Sequence, residues 1–146
     1  MGYYIDLTDS DFRVKKENFR KAIIGFKATF MLDLIKINRE YKKEHFDWID
    51  TDRVLGSHNI DELLKYIRYE PIYNLEGNIC KLKFIGEKDG DEYLLFNALA
   101  PYVEDNSYLS FEGCDGRKWR YIFKNNEAIV SLDWYIILKH YSWQNN

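Results

Sequence analysis

The sequence predicts an α+β fold in which helices pack on one face of a mostly antiparallel sheet, and three observations predict it. An apolar stripe of helical spacing runs from about Lys15 to about Lys43. Short runs of alternating apolar and polar residues lie on either side of it in the chain. The last third carries two tight-turn pairs, Asp115-Gly116 and Asn125-Asn126, between aromatic-rich runs. The implied order is β-α-α-β-β-α-β-β-β, on a ferredoxin-like or split-βαβ core. At 146 residues the chain fits one domain, residues 1–146, with 139–146 as a tail.

The first strand is YYIDLT, in which Tyr3, Ile5 and Leu7 share a face and Tyr4, Asp6 and Thr8 the other. Phe19, Ile23, Phe26, Phe30, Leu34, Ile37 and Tyr41 then recur every three or four residues and define the long helix, with Lys15, Lys16, Arg20 and Lys27 mostly off the stripe. EHFDWIDTDRVLGSHN breaks both periodicities and reads as an irregular crossover. Asn59 caps a short helix, with Glu62 at capping-box spacing and Leu63, Leu64 and Ile67 facing inward. Glu70-Pro71 ends it, because the residue before proline is pushed out of the helical region. PIYNL and ICKLKFIGE form a hairpin around Glu-Gly-Asn, with Lys81 and Lys83 on its wetter side. Asp89 to Glu92 put negative charge at the start of a third helix, Leu94, Leu95, Ala98 and Leu99 make its stripe, and Pro101 stops it. Three strands follow, roughly Tyr108 to Gly113, Arg117 to Lys124 and Ala128 to Leu138.

Composition excludes several classes of function. With 46% hydrophobic residues the chain has enough apolar surface to fold. A net charge of −3, from 21 basic and 24 acidic residues, lacks the cationic excess that phosphate neutralisation demands, so nucleic acid is disfavoured as a partner. No run of about 18 apolar residues occurs, which argues against a membrane segment and for a cytoplasmic protein. Cys80 and Cys114 make no CxxC, and His45, His58 and His140 have no metal-ligand spacing, so neither a metal nor a cofactor is expected. Cys114 sits among acids, a poor setting for a thiolate nucleophile.

The run YLSFEGCDGRKWRYIF poses the sharper question of whether its rings stack on bases or fill a core. If both turn pairs are two-residue type I′ loops, residue 112 pairs with 119 and 123 with 128. One face then collects Tyr108, Trp119, Tyr121, Phe123, Ala128, Val130, Leu132 and Trp134, edged by Ser110 and Glu112. That face carries no cation and should meet the helices, and KWRYIF lacks the small residues of an RNA-binding signature. On the opposite face Leu109, Phe111, Ile122 and Ile129 form an apolar patch rimmed by Lys118, Arg120 and Asp133. Two occupants compete for this patch: a partner or second copy of the chain, and the chain's own KHYSWQNN segment with Tyr141 and Trp143.

Carboxylates supply the remaining candidates. Asp47, Asp50 and Asp52 in FDWIDTD are spaced to hold Mg²⁺, although helix capping by Asp50 or Asp52 is the favoured reading. Glu112, on the assumed register, sits beside Trp119 on the core face and has no partner acid or base.

The blocks MGYYIDLTDSDF, KKEN, FDWIDTD and LAPYVEDNSYLSFEGCDGRKWRYIF resemble a family of small uncharacterised proteins of bacteriophages and mobile elements, mainly of Gram-positive bacteria. Lys15 and Cys114 depart from that pattern, which often has Pro at the first position and Glu or Asp at the second. The resemblance implies a mobile-element protein made in the bacterial cytosol and carries no catalytic residues. Together these readings give a non-enzymatic protein that binds and modulates a host protein, as a counter-defence inhibitor, or that pairs with itself. The alternative is a nucleotide or small-ligand sponge or processing protein built on Asp47, Asp50, Asp52 and Glu112.

Overall fold

The structure, a computed structural model, describes residues 3–41, 49–90 and 92–132. Strand β1 (Ile5–Asp11) leads through a 3-10 turn at Lys16–Asn18 into helix α1 (Phe19–Tyr41). Two short helices follow, α2 (Thr51–Gly56) and α3 (Ile60–Tyr66), then the hairpin of β2 (Tyr69–Tyr73) and β3 (Ile79–Phe84). Helix α4 (Glu92–Leu99) and a 3-10 turn at Ala100–Tyr102 precede β4 (Tyr108–Gly113), β5 (Lys118–Lys124) and β6 (Glu127–Leu132).

The α+β class stands, with helices stacked on one face of an antiparallel sheet. The finer core differs from the expected one. The main sheet has the order β1-β4-β5-β6 with every pair antiparallel, and β2-β3 forms a sheet of its own. In a ferredoxin-like or split-βαβ core the strand that follows the first helix returns to the sheet of β1, whereas here β2 joins only β3. The reason is that the helical segment after β1 returns the chain to the separate hairpin, leaving β1 to pair with β4, which runs antiparallel to it.

Local chemistry explains the starts and stops. The expected irregular crossover contains α2, because the Asp50 carboxylate accepts from the Arg53 N–H at 3.2 Å and caps it. Asn59 accepts from Glu62 N–H at 2.8 Å, and Glu62 reaches back to the His58 N–H rather than to that of Asn59. Helix α3 ends ahead of the proline, at Arg68, whose φ of 79° is left-handed, and Pro71 lies inside β2, where an edge strand tolerates its missing N–H.

The register of β4 corrects the sequence reading. Glu112 pairs with Lys118, and Phe111 with Trp119, because the loop is three residues long, Cys114-Asp115-Gly116. The Gly116 N–H bonds back to the Gly113 carbonyl at 2.9 Å, and Gly116 takes φ +84°, the left-handed position that such a loop reserves for glycine. A slip of one residue flips a whole strand. Leu109 and Phe111 therefore belong to the core, and Tyr108 and Glu112 to the outer face. The second turn holds as expected: Phe123 pairs with Ala128, and Asn125 and Asn126 both have positive φ, 53° and 64°.

The core is aromatic. Phe96 of α4 lies 4.8 Å from Tyr121, 5.5 Å from Tyr69 and 6.1 Å from both Phe111 and Phe123, measured between ring centroids. Trp119 and Tyr121 are each only 7% exposed, so the rings that raised the question of stacking on bases are sealed beneath the helices. Helix α4 covers β6 only at its start, where the Asn97 side-chain oxygen accepts from the Ala128 N–H. Beyond that point Val130 and Leu132 are exposed, although they share the helix-facing side with Trp119 and Tyr121.

Candidate functional site

The expected contact patch on the outer sheet face loses its two central members, Leu109 and Phe111, to the core. What remains is Ile122, half-buried, and Ile129, exposed, with Lys118 and Arg120. Arg120 is engaged within the sheet: its guanidinium lies 4.1 Å from the Tyr108 ring centroid, and Nε donates to the Ser110 hydroxyl at 2.7 Å. Tyr108 in turn donates to Asp9 at 3.0 Å. These bonds make the face largely polar and internally satisfied. Tyr141 and Trp143 lie outside the described residues.

The acidic candidates do not converge. Asp50 is committed to capping α2 and pairs with Arg53 at 3.4 Å, and Asp52 sits in the first turn of that helix. Glu112 stands on the outer face between Asp6 and Lys118 instead of beside Trp119 in the core. Asp47 lies outside the described residues. Among the described residues no group of three or more His, Cys, Asp or Glu side chains is placed to hold a metal ion.

A polar cluster that sequence reasoning missed is buried at the start of α4. Glu92 is 2% exposed and takes a hydrogen bond from the Tyr69 hydroxyl at 2.7 Å, another from the Gly90 N–H at 3.1 Å, and an ion pair from Arg68. Arg68 also donates to the carbonyls of Lys88 and Gly90 and lies over the Phe84 ring. Burial outweighs the attraction of Arg68 and raises Glu92 from 4.5 to about 7, while burial also pushes the Tyr69 and Tyr121 hydroxyls up. The cluster explains the left-handed Arg68, since three acceptors hold its side chain in place. It clasps the hairpin to α4. Spacing from Arg68 to Glu92 gives no signal for it, because the contact depends on how the hairpin folds back.

Two clefts border β1. The one between β1 and β3 has a volume of about 410 Å³ and is lined by Asp6, Thr8, Asp9, Lys81 and Lys83 among others. The other, near Tyr4, Glu87 and Cys114, is similar in size. Neither is lined by Glu92 or Arg68.

A run of exposed apolar side chains lies on α1. Its inward side buries Ala22, Phe26 and Phe30. Its outward side presents Ile24 at 61% exposure, Met31 at 45%, Leu32 at 68% and Ile35 at 54%, with Ala28 exposed among them. Positions 24, 28, 31 and 35 follow the 4-3-4 spacing of a heptad seam, on the side of the helix opposite Phe26 and Phe30. Reading only the Phe19-to-Tyr41 stripe concealed this second one. Its signal was present in the sequence, as apolar residues left over after the first stripe had been assigned.

No family model, curated protein or solved structure matches the chain. Fold and surface together define a two-layer α+β protein with a helix that is apolar on two sides. Among the described residues no helix is long and apolar enough to cross a membrane.

Proposed function

We propose that this is a non-enzymatic binding protein that acts by occupying a surface of another protein, and that the outward side of α1 is its contact surface. One observation carries the reading: a helix already docked through one apolar stripe leaves four large apolar side chains of a second stripe in water. Among the described residues nothing covers that stripe. The choice of a host protein as partner and of counter-defence inhibition as the role rests on the sequence blocks that resemble phage and mobile-element proteins.

The test is affinity purification from a bacterial host with three baits: wild type, Ile24→Glu/Met31→Glu, and Lys118→Glu/Ile129→Glu. A host protein retained by the first and third and lost by the second supports the reading. A partner set unchanged by the α1 substitutions overturns it.

A second reading, small-ligand binding, is favoured by the cleft between β1 and β3, where Lys81 and Lys83 stand near Asp6 and Asp9. It expects a rise in melting temperature with members of a nucleotide panel. It fails if none shifts the midpoint.

A further inference from the structure

Resting on the reading of α1 as a contact surface, we infer that its occupant is an amphipathic helix of another protein, apolar along one seam and flanked by carboxylates.

Charge decides the chemistry of the partner. The stripe begins at Arg20 and Lys21, both exposed and both on its side of the helix. Between Arg20 and Ile35 the only acid of α1 is Asp33, which helical geometry places about 180° from Ile24. The seam therefore opens on two exposed cations, in a chain whose net charge is −3. A partner carrying Glu or Asp beside its apolar positions gains attraction at that end.

The same charges disfavour a second copy laid parallel. Such a pair would set Arg20 against Arg20 and Lys21 against Lys21, like with like.

Spacing favours a helix over a lipid surface. A membrane rewards apolar area, usually with aromatic residues at the interface, and is indifferent to register. Here the exposed residues are aliphatic and follow 4-3-4 steps, with the small Ala28 between Ile24 and Met31 leaving a hole that a side chain from a facing helix can enter. The seam from Ile24 to Ile35 is about 16 Å long, three turns, enough for a short helix to dock.

The experiment uses two synthetic amphipathic helices of about three heptads, with Leu along the seam and either Glu or Lys at the flanking positions. Binding to the full chain is measured by fluorescence anisotropy. The Glu peptide binds, the Lys peptide does not, and high salt weakens the complex roughly tenfold. Arg20→Glu/Lys21→Glu reverses the preference, and Ile24→Glu/Met31→Glu abolishes binding of the Glu peptide, with unchanged circular dichroism in each variant. Equal binding of both peptides, or of neither, overturns the inference. So does retention on phosphatidylcholine–phosphatidylserine vesicles that the Glu peptide does not compete away, or a sedimenting dimer that Ile24→Glu/Met31→Glu dissolves. If neither peptide binds but the purified host partner is still lost on Ile24→Glu/Met31→Glu, the contact surface survives and only its acidic-helix occupant is lost. If that partner is retained, the surface itself is wrong.

Discussion

Glu92 concentrates the chemistry of single residues in this fold. Its carboxyl is raised to about 7 by burial, above the 4.5 of a free side chain, so the folded state holds its proton more tightly than the unfolded one. Stability from this group is complete below about 4.5, falls as pH rises through about 7, and levels off above that. The stability difference between wild type and Glu92→Gln, read from urea midpoints, should shrink from pH 5 to pH 8; a constant difference would place the carboxyl in an ordinary environment. Glu92→Ala should cost at least about 3 kcal/mol, because it strands a buried cation together with the Tyr69 and Gly90 donors. At the same scale, Phe111→Ala should cost about 3–5 kcal/mol and Ile129→Ala less than about 1 kcal/mol. Equal costs would mean that β4 has the opposite facing.

At the scale of elements, the two hairpin loops show what a sequence does and does not reveal. Asn125-Asn126 is a two-residue loop with both residues left-handed, and the pattern of short polar residues between alternating runs is sufficient to predict it. Asn126→Gly should therefore stabilise by roughly 0.5–1 kcal/mol, measured as a higher thermal midpoint, since glycine takes positive φ without a Cβ clash. Asp115-Gly116 looks alike in the chain but closes a three-residue loop. The determinant lies elsewhere: Tyr3 donates to the Asp115 carboxylate, and a Cβ on Gly113 would come within 1.7 Å of the Tyr3 hydroxyl. A residue more than a hundred positions away thus supports a turn for which Gly116 supplies the left-handed position. Helices α1, α3 and α4 were legible because one stripe suffices to define each, whereas α2, a single short turn of helix set by its cap, read as irregular chain. The second stripe of α1 was equally present, but a periodicity search that stops at the first apolar face does not ask what the other side is for.

For the whole molecule, class was readable, and burial outside β4, because aromatic alternation and helical stripes encode which side faces in. Topology was not, because strand order depends on where a crossover returns, and the segment between β1 and β2 is long enough to return in several places. Charge is a property of the same scale. With a net charge of −3 and exposed cations spread over the helices and the sheet, the chain should pass through heparin at low salt without retention. Retention that falls steeply with salt would restore nucleic acid as a partner. The expected pattern of selective affinity for an acidic helix and indifference to polyanions separates a shaped seam from a merely basic patch.

Between β1 and β3, one hydroxyl makes bonds of the kind a ladder would supply, beside the backbone bridge of Val14 to Ile79. Ser10 Oγ donates to the Leu82 carbonyl at 2.9 Å and accepts from the Leu82 N–H at 3.2 Å, both bonds that a neighbouring strand would otherwise supply. This hydroxyl and the Val14–Ile79 bridge make a narrower joint than a continuous ladder would. In deuterium, Ser10→Ala should bring the amides of β3 to label ahead of those of β4 and β5, splitting what is otherwise one cooperative unit into two.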